Sequence, residues 1–354
     1  MNDHKTKLDA LAIQTASQGA SDLHLSVGRH PALRIAGVLS PLSSEPLLTR
    51  EDTEGMVFSI LTDDQKARLA RDRTVDFSYA VEDRARFRVN AFFERGFVSV
   101  AFRLIPVKIP TLDELNLPPI LADFARRPQG FFLVVGPTGH GKSTTLASMV
   151  DVINHERAEH ILTIEDPIEY IFSDDKSIIN QREVGTDAAD FPSALRSLFR
   201  EDVNVAMIGE MRDSETISTA VTAAETGHLI LSSLHTNSAS QTVHRIIDAF
   251  PSDQQTQIRS QLSSTLLGVF SQRLLPRISG GRVPAYEMLI ANTAVRNLIR
   301  ENKVHEIDLF IETSSSEGMM SLNQSLVELV RKGEITLEAA RDYSLNVKGL
   351  EHLL

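Results

Sequence analysis

Apolar positions along this chain follow two different rhythms. Between Asp22 and Leu104 they alternate: Leu23 and Leu25, Leu33 and Ile35, then within Val75 to Tyr79, Arg86 to Phe92 and Val98 to Leu104. A period of two predicts half-buried strands, and Gly37 ahead of Val38 and Leu39 predicts a hairpin. Helical stretches interrupt this region. Leu8 to Ala16 reads as a short amphipathic helix ended by Gly19 and Ala20. Thr49 is expected to cap a helix with Asp52 in its first turn, and Thr62 another, with Gln65 completing a capping box. From Leu117 the rhythm changes. Continuous apolar runs, Phe131 to Val135, Ile161 to Ile164, Val205 to Ile208 and Leu229 to Leu234, alternate with helical segments. That succession predicts a mostly parallel α/β sheet. Ile105 to Thr111, punctuated by Pro106 and Pro110, reads as a linker, and Pro276 to Pro284, with Gly280 and Gly281, as a turn or hairpin loop. The tail is helical over Thr293 to Asn302, Leu322 to Lys332 and Leu337 to Tyr343. The fold class is α/β, behind an α+β domain of about a hundred residues.

Composition narrows the picture. A chain of 354 residues favours two domains over one core. It has no cysteine, which excludes disulfides and thiolate metal sites. A formal net charge of −11 weighs against nucleic-acid binding. The start, Met1 to Ala10, is polar rather than a leader, and no apolar run approaches the roughly 20 residues of a membrane helix. A soluble, cytoplasmic protein without a direct membrane span is expected, with any membrane role exerted through a partner.

The chemistry concentrates after the first apolar run. Gly136 to Ser143 match G-x-x-x-x-G-K-[ST], the phosphate loop. A buried strand precedes it. Behind it Leu146, Met149, Val150 and Ile153 recur at one helical face. Glycines let backbone N–H groups close around phosphates, and a helix N-terminus adds positive potential. Lys142 can reach the β- and γ-phosphates and Ser143 can ligate Mg2+. His140 is expected to contribute only its backbone N–H. The other three runs also end in polar groups: Glu165-Asp166, Gly209-Glu210 and His235-Thr236. Ligands of open parallel sheets bind at the carboxyl ends of strands, so these groups should line one edge. Glu210 is the first choice for activating water, with Gly209 permitting close backbone approach, and Glu165 the second, holding the metal through water. His235 could sense a γ-phosphate or be structural, and spacing does not choose. His155 and His160 are five apart, which rules out a zinc-protease helix, and no nucleophile elbow is present.

These motifs carry a family likeness. Gly136 to Thr145 resembles the Walker A loop of the secretion and pilus motor ATPases, and Thr163 to Tyr170 resembles their Asp box. Ile208 to Asp213 resembles their Walker B, and Glu225 to His228 with Leu234 to Thr236 their His box. Gly19 to Leu25, Asn180 to Val184 and Arg245 to Pro251 match as well, so the likeness spans nearly the whole chain. Within this superfamily the chain resembles the type IV pilus retraction ATPases of twitching motility. Ala294 to Glu301 is similar to the helix that marks those motors. Accessory retraction ATPases are the nearest alternative, and a RecA-fold nucleic-acid motor is a more distant one.

The resemblance implies a PAS-like domain over residues 1–105, a linker over 106–118 and a RecA-like ATPase domain over 119–354 that includes the C-terminal helices. It implies ATP and Mg2+ as cofactors. The cradle would be Gly136, Pro137, Thr138, Gly139, His140, Gly141, Lys142, Ser143 and Thr144, with His228 assisting. Ser143 and Glu165 would hold the metal. Glu210, Glu165 and His235 would be catalytic. Arg88 and Arg103, which alternation alone reads as a solvated strand face, would stabilise charge. Partners would be five further copies in a homohexamer, an inner-membrane pilus platform protein and an accessory retraction ATPase, with no nucleic acid, at the cytoplasmic base of the pilus. Three departures stand out: His140 where the family has serine, Glu201-Asp-Val-Asn204 in place of Glu-Asp-Pro-Asp, and His244. On the helix after Thr293, taken as its cap, Arg296 and Arg300 are four apart. They are expected to face a partner, while Val295, Leu298 and Ile299 pack inward.

Overall fold

Period-two segments pair into one sheet and continuous apolar runs into another. The computed structural model describes residues 2–35, 37–82, 84–106 and 108–354. Ala36, at the expected hairpin turn, and Val107, in the expected linker, lie outside the described residues. Two compact units divide the chain: Met1–Val107 with Pro167–Ile171, and Lys108–Asp166 with Phe172–Leu354.

The first unit holds α1 (Asn2–Ser17), β1 (Asp22–Leu25), β2 (Ala32–Ile35), β3 (Val38–Pro41), α2 (Arg50–Ile60), α3 (Asp63–Asp72), β4 (Thr74–Val81), β5 (Ala85–Glu94) and β6 (Phe97–Ile105). Its strands form an antiparallel sheet in the order β3-β2-β1-β6-β5-β4. Alternation sends Leu23, Leu25, Phe87, Val89 and Phe102 into a core with Leu8 and Leu11 of α1 and Met56 of α2. The same alternation leaves Arg88 exposed. Thr49 and Thr62 both close reciprocal capping boxes, with Asp52 and Gln65. Each cap stabilises its helix by about 1 kcal/mol.

The second unit runs through α4 (Ile120–Ala125), β7 (Gly130–Val135), α5 (Lys142–Glu156), β8 (His160–Glu165), β9 (Ile178–Glu183), α6 (Phe191–Ser197), β10 (Val205–Ile208), α7 (Ser214–Glu225) and β11 (Leu229–Leu234). It continues with α8 (Ala239–Asp248), α9 (Gln255–Thr265), β12 (Leu266–Pro276), β13 (Arg282–Ile290), α10 (Thr293–Arg300), α11 (Ile307–Thr313), α12 (Leu322–Arg331), α13 (Leu337–Tyr343) and α14 (Val347–Leu353). The sheet order is β13-β12-β7-β11-β10-β8-β9, parallel throughout except for the β12–β13 hairpin. Strands β7, β10 and β11 are buried along their whole length, as a sheet covered on both faces requires.

Three expectations change. Much of the expected linker is no tether: Leu112 and Leu117 are buried, and Ser148 Oγ donates to the Pro110 carbonyl at 2.7 Å. The cap of α10 is Asn292, not Thr293, because its side chain accepts the Val295 N–H at 3.0 Å. Helices α11 and α14 escape the periodicity.

Candidate active site

Parallel register decides where the polar strand ends go. Leu234 pairs with Val135, Ile208 with Ser232, and Ile208 with Ile164. The carboxyl ends of β7, β11, β10 and β8 therefore lie side by side, and the groups that follow them share one edge, as strand-end chemistry requires.

At that edge β7 turns into residues 136–141 and then α5. Gly136, Gly139 and Gly141 have φ of 143°, 79° and 83°. A side chain at Gly136 would meet the Gln272 carbonyl oxygen at 2.3 Å, so only glycine fits there. Gly141 is the N-cap of α5 and makes no side-chain cap bond. Pro137, Thr138, Ser143 and Thr144 lie in the same loop and first helical turn. Lys142 is buried, and its Nζ donates to the carbonyls of Gly136 and Pro137, both at 3.0 Å.

Lys142 Nζ also lies 3.2 Å from His235 Nδ1, with Thr138 Oγ1 at 3.3 Å from the same nitrogen. An ammonium can only donate, so Nδ1 accepts and the ring proton resides on Nε2. That nitrogen is 3.3 Å from Glu210 Oε1, while Arg212 Nη2 donates to Glu210 Oε2 at 2.9 Å. Partial burial pushes the Glu210 carboxyl up. The Arg212 hydrogen bond and the neighbouring His235 outweigh it and hold the group below the usual carboxylate range. It is a carboxylate at neutral pH. Glu165 is buried at the end of β8, where its Oε1 accepts from Thr163 Oγ1 at 2.8 Å and from Gln181 Nε2 at 3.3 Å. A Cβ on Gly209 would make only ordinary contacts, so close approach does not demand glycine there.

One of the expected residues stands at the other end of the sheet. His228 precedes β11 at its amino end, beside Gly130, and its Nδ1 is 2.9 Å from the Ala223 carbonyl oxygen. The length of β11, about 20 Å at ~3.3 Å per residue, separates it from the phosphate-loop edge, so it does not join this chain's cradle. Arg88 and Arg103 belong to the first unit, where they are direct cross-strand partners on the polar face of its sheet. Arg103 Nε donates to Asp22 Oδ1 at 2.9 Å. Sequence reasoning missed Arg212, Gln181 and Gln272. Arg212 stands two residues after Glu210, a local signal. The other two reach the site only through pairing of distant strands.

The departure over residues 201–204 finds a physical role. Val203 is buried, and the Asn204 side chain accepts the His160 N–H at 2.8 Å, tying the start of β10 to β8. Arg296 does not face outward. Its guanidinium turns back onto the carbonyls of Ser263, Ser264, Leu266 and Ala291. Val295 and Ile299 are buried, with Leu298 packed beside them, as the apolar face of α10 predicts.

Residues 5–281 match the family described as "Type II/IV secretion system protein". The chain belongs to that family. Among its members, the type IV pilus retractation ATPase PilT of Pseudomonas aeruginosa is 46% identical over 328 residues, 93% of this chain and 95% of that protein. The type IV pilus ATPase PilU of the same organism is 40% identical over 324 residues, 91% of this chain and 85% of its own. The crystal structure of the pilus retraction motor PilT with bound ADP matches at a TM-score of 0.90 and 48% identity, covering 97% of this chain and 98% of that one. For a secretion-family ATPase the cradle fits its nucleotide: a glycine loop that a side chain would fill, one buried lysine and two strand-end carboxylates. Among the described residues no cluster of three or more His, Asp or Glu could cage a metal. Mg2+ held by phosphates, water and one or two side chains needs none. No helix among the described residues is long and apolar enough to cross a membrane.

Proposed function

We infer that this chain is an ATP-hydrolysing motor of type IV pilus retraction. The observation that carries the retraction reading is the likeness to PilT across nearly the whole chain. The PilU relative, at 40% identity, makes an accessory retraction ATPase the second reading.

The site's chemistry follows from its hydrogen bonds. Lys142 is already aimed along the loop and exchanges the carbonyls of Gly136 and Pro137 for phosphate oxygens when ATP enters. That exchange alters its link to His235 Nδ1. His235 passes the change to Glu210 through its Nε2–H. His235 thus reports γ-phosphate occupancy to the carboxylate that orients the attacking water and accepts its proton. Ser143 and, through water, Glu165 are the residues for Mg2+, which supplies charge neutralisation at the phosphates. Arg88 and Arg103 carry the charge-stabilising role of the first unit. Asp22 holds Arg103 in place. The working assembly is a homohexamer at the cytoplasmic side of the inner membrane, engaged with the pilus platform protein and with an accessory retraction ATPase.

Complementation tests this reading. Expressed in a strain lacking its own retraction ATPase, the chain restores twitching and lowers the number of surface pili. Failure there, with rescue of a strain lacking only the accessory ATPase, replaces the reading by the second one.

A further inference from the structure

Strand β12 is longer than its neighbour β7. The pairing ends where Val135 meets Ser271, yet β12 continues to Pro276. Beyond Ser271 the phosphate loop takes the place of β7 as the neighbour of β12. The Gln272 carbonyl occupies the space a side chain at Gly136 would need. Gln272 Oε1 accepts from Thr145 Oγ1 at 2.7 Å, so its Nε2 is turned to the loop and donates to the His140 carbonyl at 2.8 Å. The backbone N–H of Leu274 has no β7 residue opposite it. It donates to His140 Nδ1 at 2.9 Å. A backbone donor in a half-buried position needs such a partner.

We propose that the side chain of His140 is a positioning residue for the phosphate loop, clasping the loop's tip to β12 through the Leu274 N–H and releasing it when the imidazole is protonated. The inference rests on reading residues 136–143 as the nucleotide-binding loop. Accepting at Nδ1 places the ring proton on Nε2, and an imidazolium has no lone pair left for Leu274. Among the described residues, the charged groups facing the ring are cations: Lys142 from α5, Arg273 from β12 and Arg282 from β13, whose Nη1 reaches the Gly139 carbonyl at 3.5 Å. Tyr343 of α13 stacks edge-on against it. Burial, then those three cations, keep the imidazole pKa below 6.5. The clasp is therefore complete above about pH 6.5 and opens as pH falls through the lower folded-state value. Serine, the family's residue at this position by resemblance, is too short to supply the Nδ1 acceptor and carries no such titration.

The test uses the full-length protein and two substitutions. His140→Asn places an amide oxygen where Nδ1 stands, and His140→Ala removes the acceptor. Hydrogen exchange of the Leu274 amide without nucleotide is expected to speed up about 3- to 10-fold in His140→Ala and to stay near wild type in His140→Asn. The KM for ATP should rise by a similar factor in His140→Ala with kcat within about twofold, and His140→Asn should restore it. Wild-type KM should climb as pH falls through the lowered imidazole value while that of His140→Asn stays flat. An unchanged Leu274 amide in His140→Ala, or equal acid slopes in wild type and His140→Asn, overturns the proposal. Melting curves identify a variant that has lost its fold, in which case His140→Asn alone decides through the pH profile. Lys142→Ala separates the two levels. If it retains ATP binding, the loop reading fails, while the Leu274 exchange result still stands on its own.

Discussion

Arg296 offers the sharpest test of this structure, because its surroundings reverse what its sequence position suggests. From α10 its guanidinium reaches the carbonyls of Ser263 and Ser264 in the last turn of α9, Leu266 at the start of β12, and Ala291 after β13. The last carbonyls of a helix have no partner within it, and a cation there also meets the negative end of the dipole. Arg296→Ala removes all of these bonds together. Hydrogen bonds from a charged donor each stabilise by about 1.5–3 kcal/mol, but water replaces part of them at this half-exposed site, leaving a net loss of about 2–4 kcal/mol. For a unit of this size that loss lowers the melting temperature by roughly 5–15 °C. Arg296→Lys should recover only a fraction, since an ammonium lacks the planar fork. Arg300→Ala removes a contact to Asn297 at 3.3 Å from an exposed side chain and should stay within about 0.5 kcal/mol. Calorimetry of the three variants, with ATPase assayed in parallel, decides the matter. If Arg296→Ala melts like wild type but abolishes retraction, the carbonyl-clamp role is wrong and Arg296 contacts a partner.

Lys142→Ala should eliminate ATP hydrolysis, and a chelator should stop the wild type; turnover that survives either treatment removes the phosphate-loop mechanism. Glu210→Gln should bind ATP as wild type does yet hydrolyse it at least about a hundredfold more slowly, measured by nucleotide titration and phosphate release. His235→Ala should also reduce turnover with binding retained, since it cuts the link between Lys142 and Glu210. Glu287, buried on β13 and accepting the Ala239 N–H at 2.7 Å, has its carboxyl pushed up to about 7 by burial and by Asp308 and Glu312. Between its ordinary value near 4.5 and pH 7 the folded state holds the extra proton. Stability should therefore decline by roughly 3 kcal/mol as pH rises through that window, and Glu287→Gln should flatten the slope in denaturant titrations at pH 5 and pH 8.

What the sequence alone determined is whatever depends on neighbours a few residues away. Thr49 and Thr62 close their capping boxes because the partners are three residues on. The apolar runs ending at Val135, Ile164, Ile208 and Leu234 become buried strands because their composition leaves no other place for them. The phosphate loop was legible because its glycines, lysine and serine all fall within eight residues. Where the signal was weak, as in the short helices α11 and α14, local pattern failed.

Only the tertiary structure decided which distant groups meet. Strand order inserts β11 between β7 and β10, and this alone puts His235 between Lys142 and Glu210. The same strand carries His228 to the opposite edge, although only six residues lie between the two histidines in sequence. Arg296 and Arg300 share a helix face by periodicity, yet only Arg296 finds α9's carbonyls within reach. His140 meets Leu274 because β12 happens to extend past β7. Strand pairing is driven by burial of whole apolar faces and constrained by crossover geometry, neither of which leaves a mark at the individual polar residues it brings together.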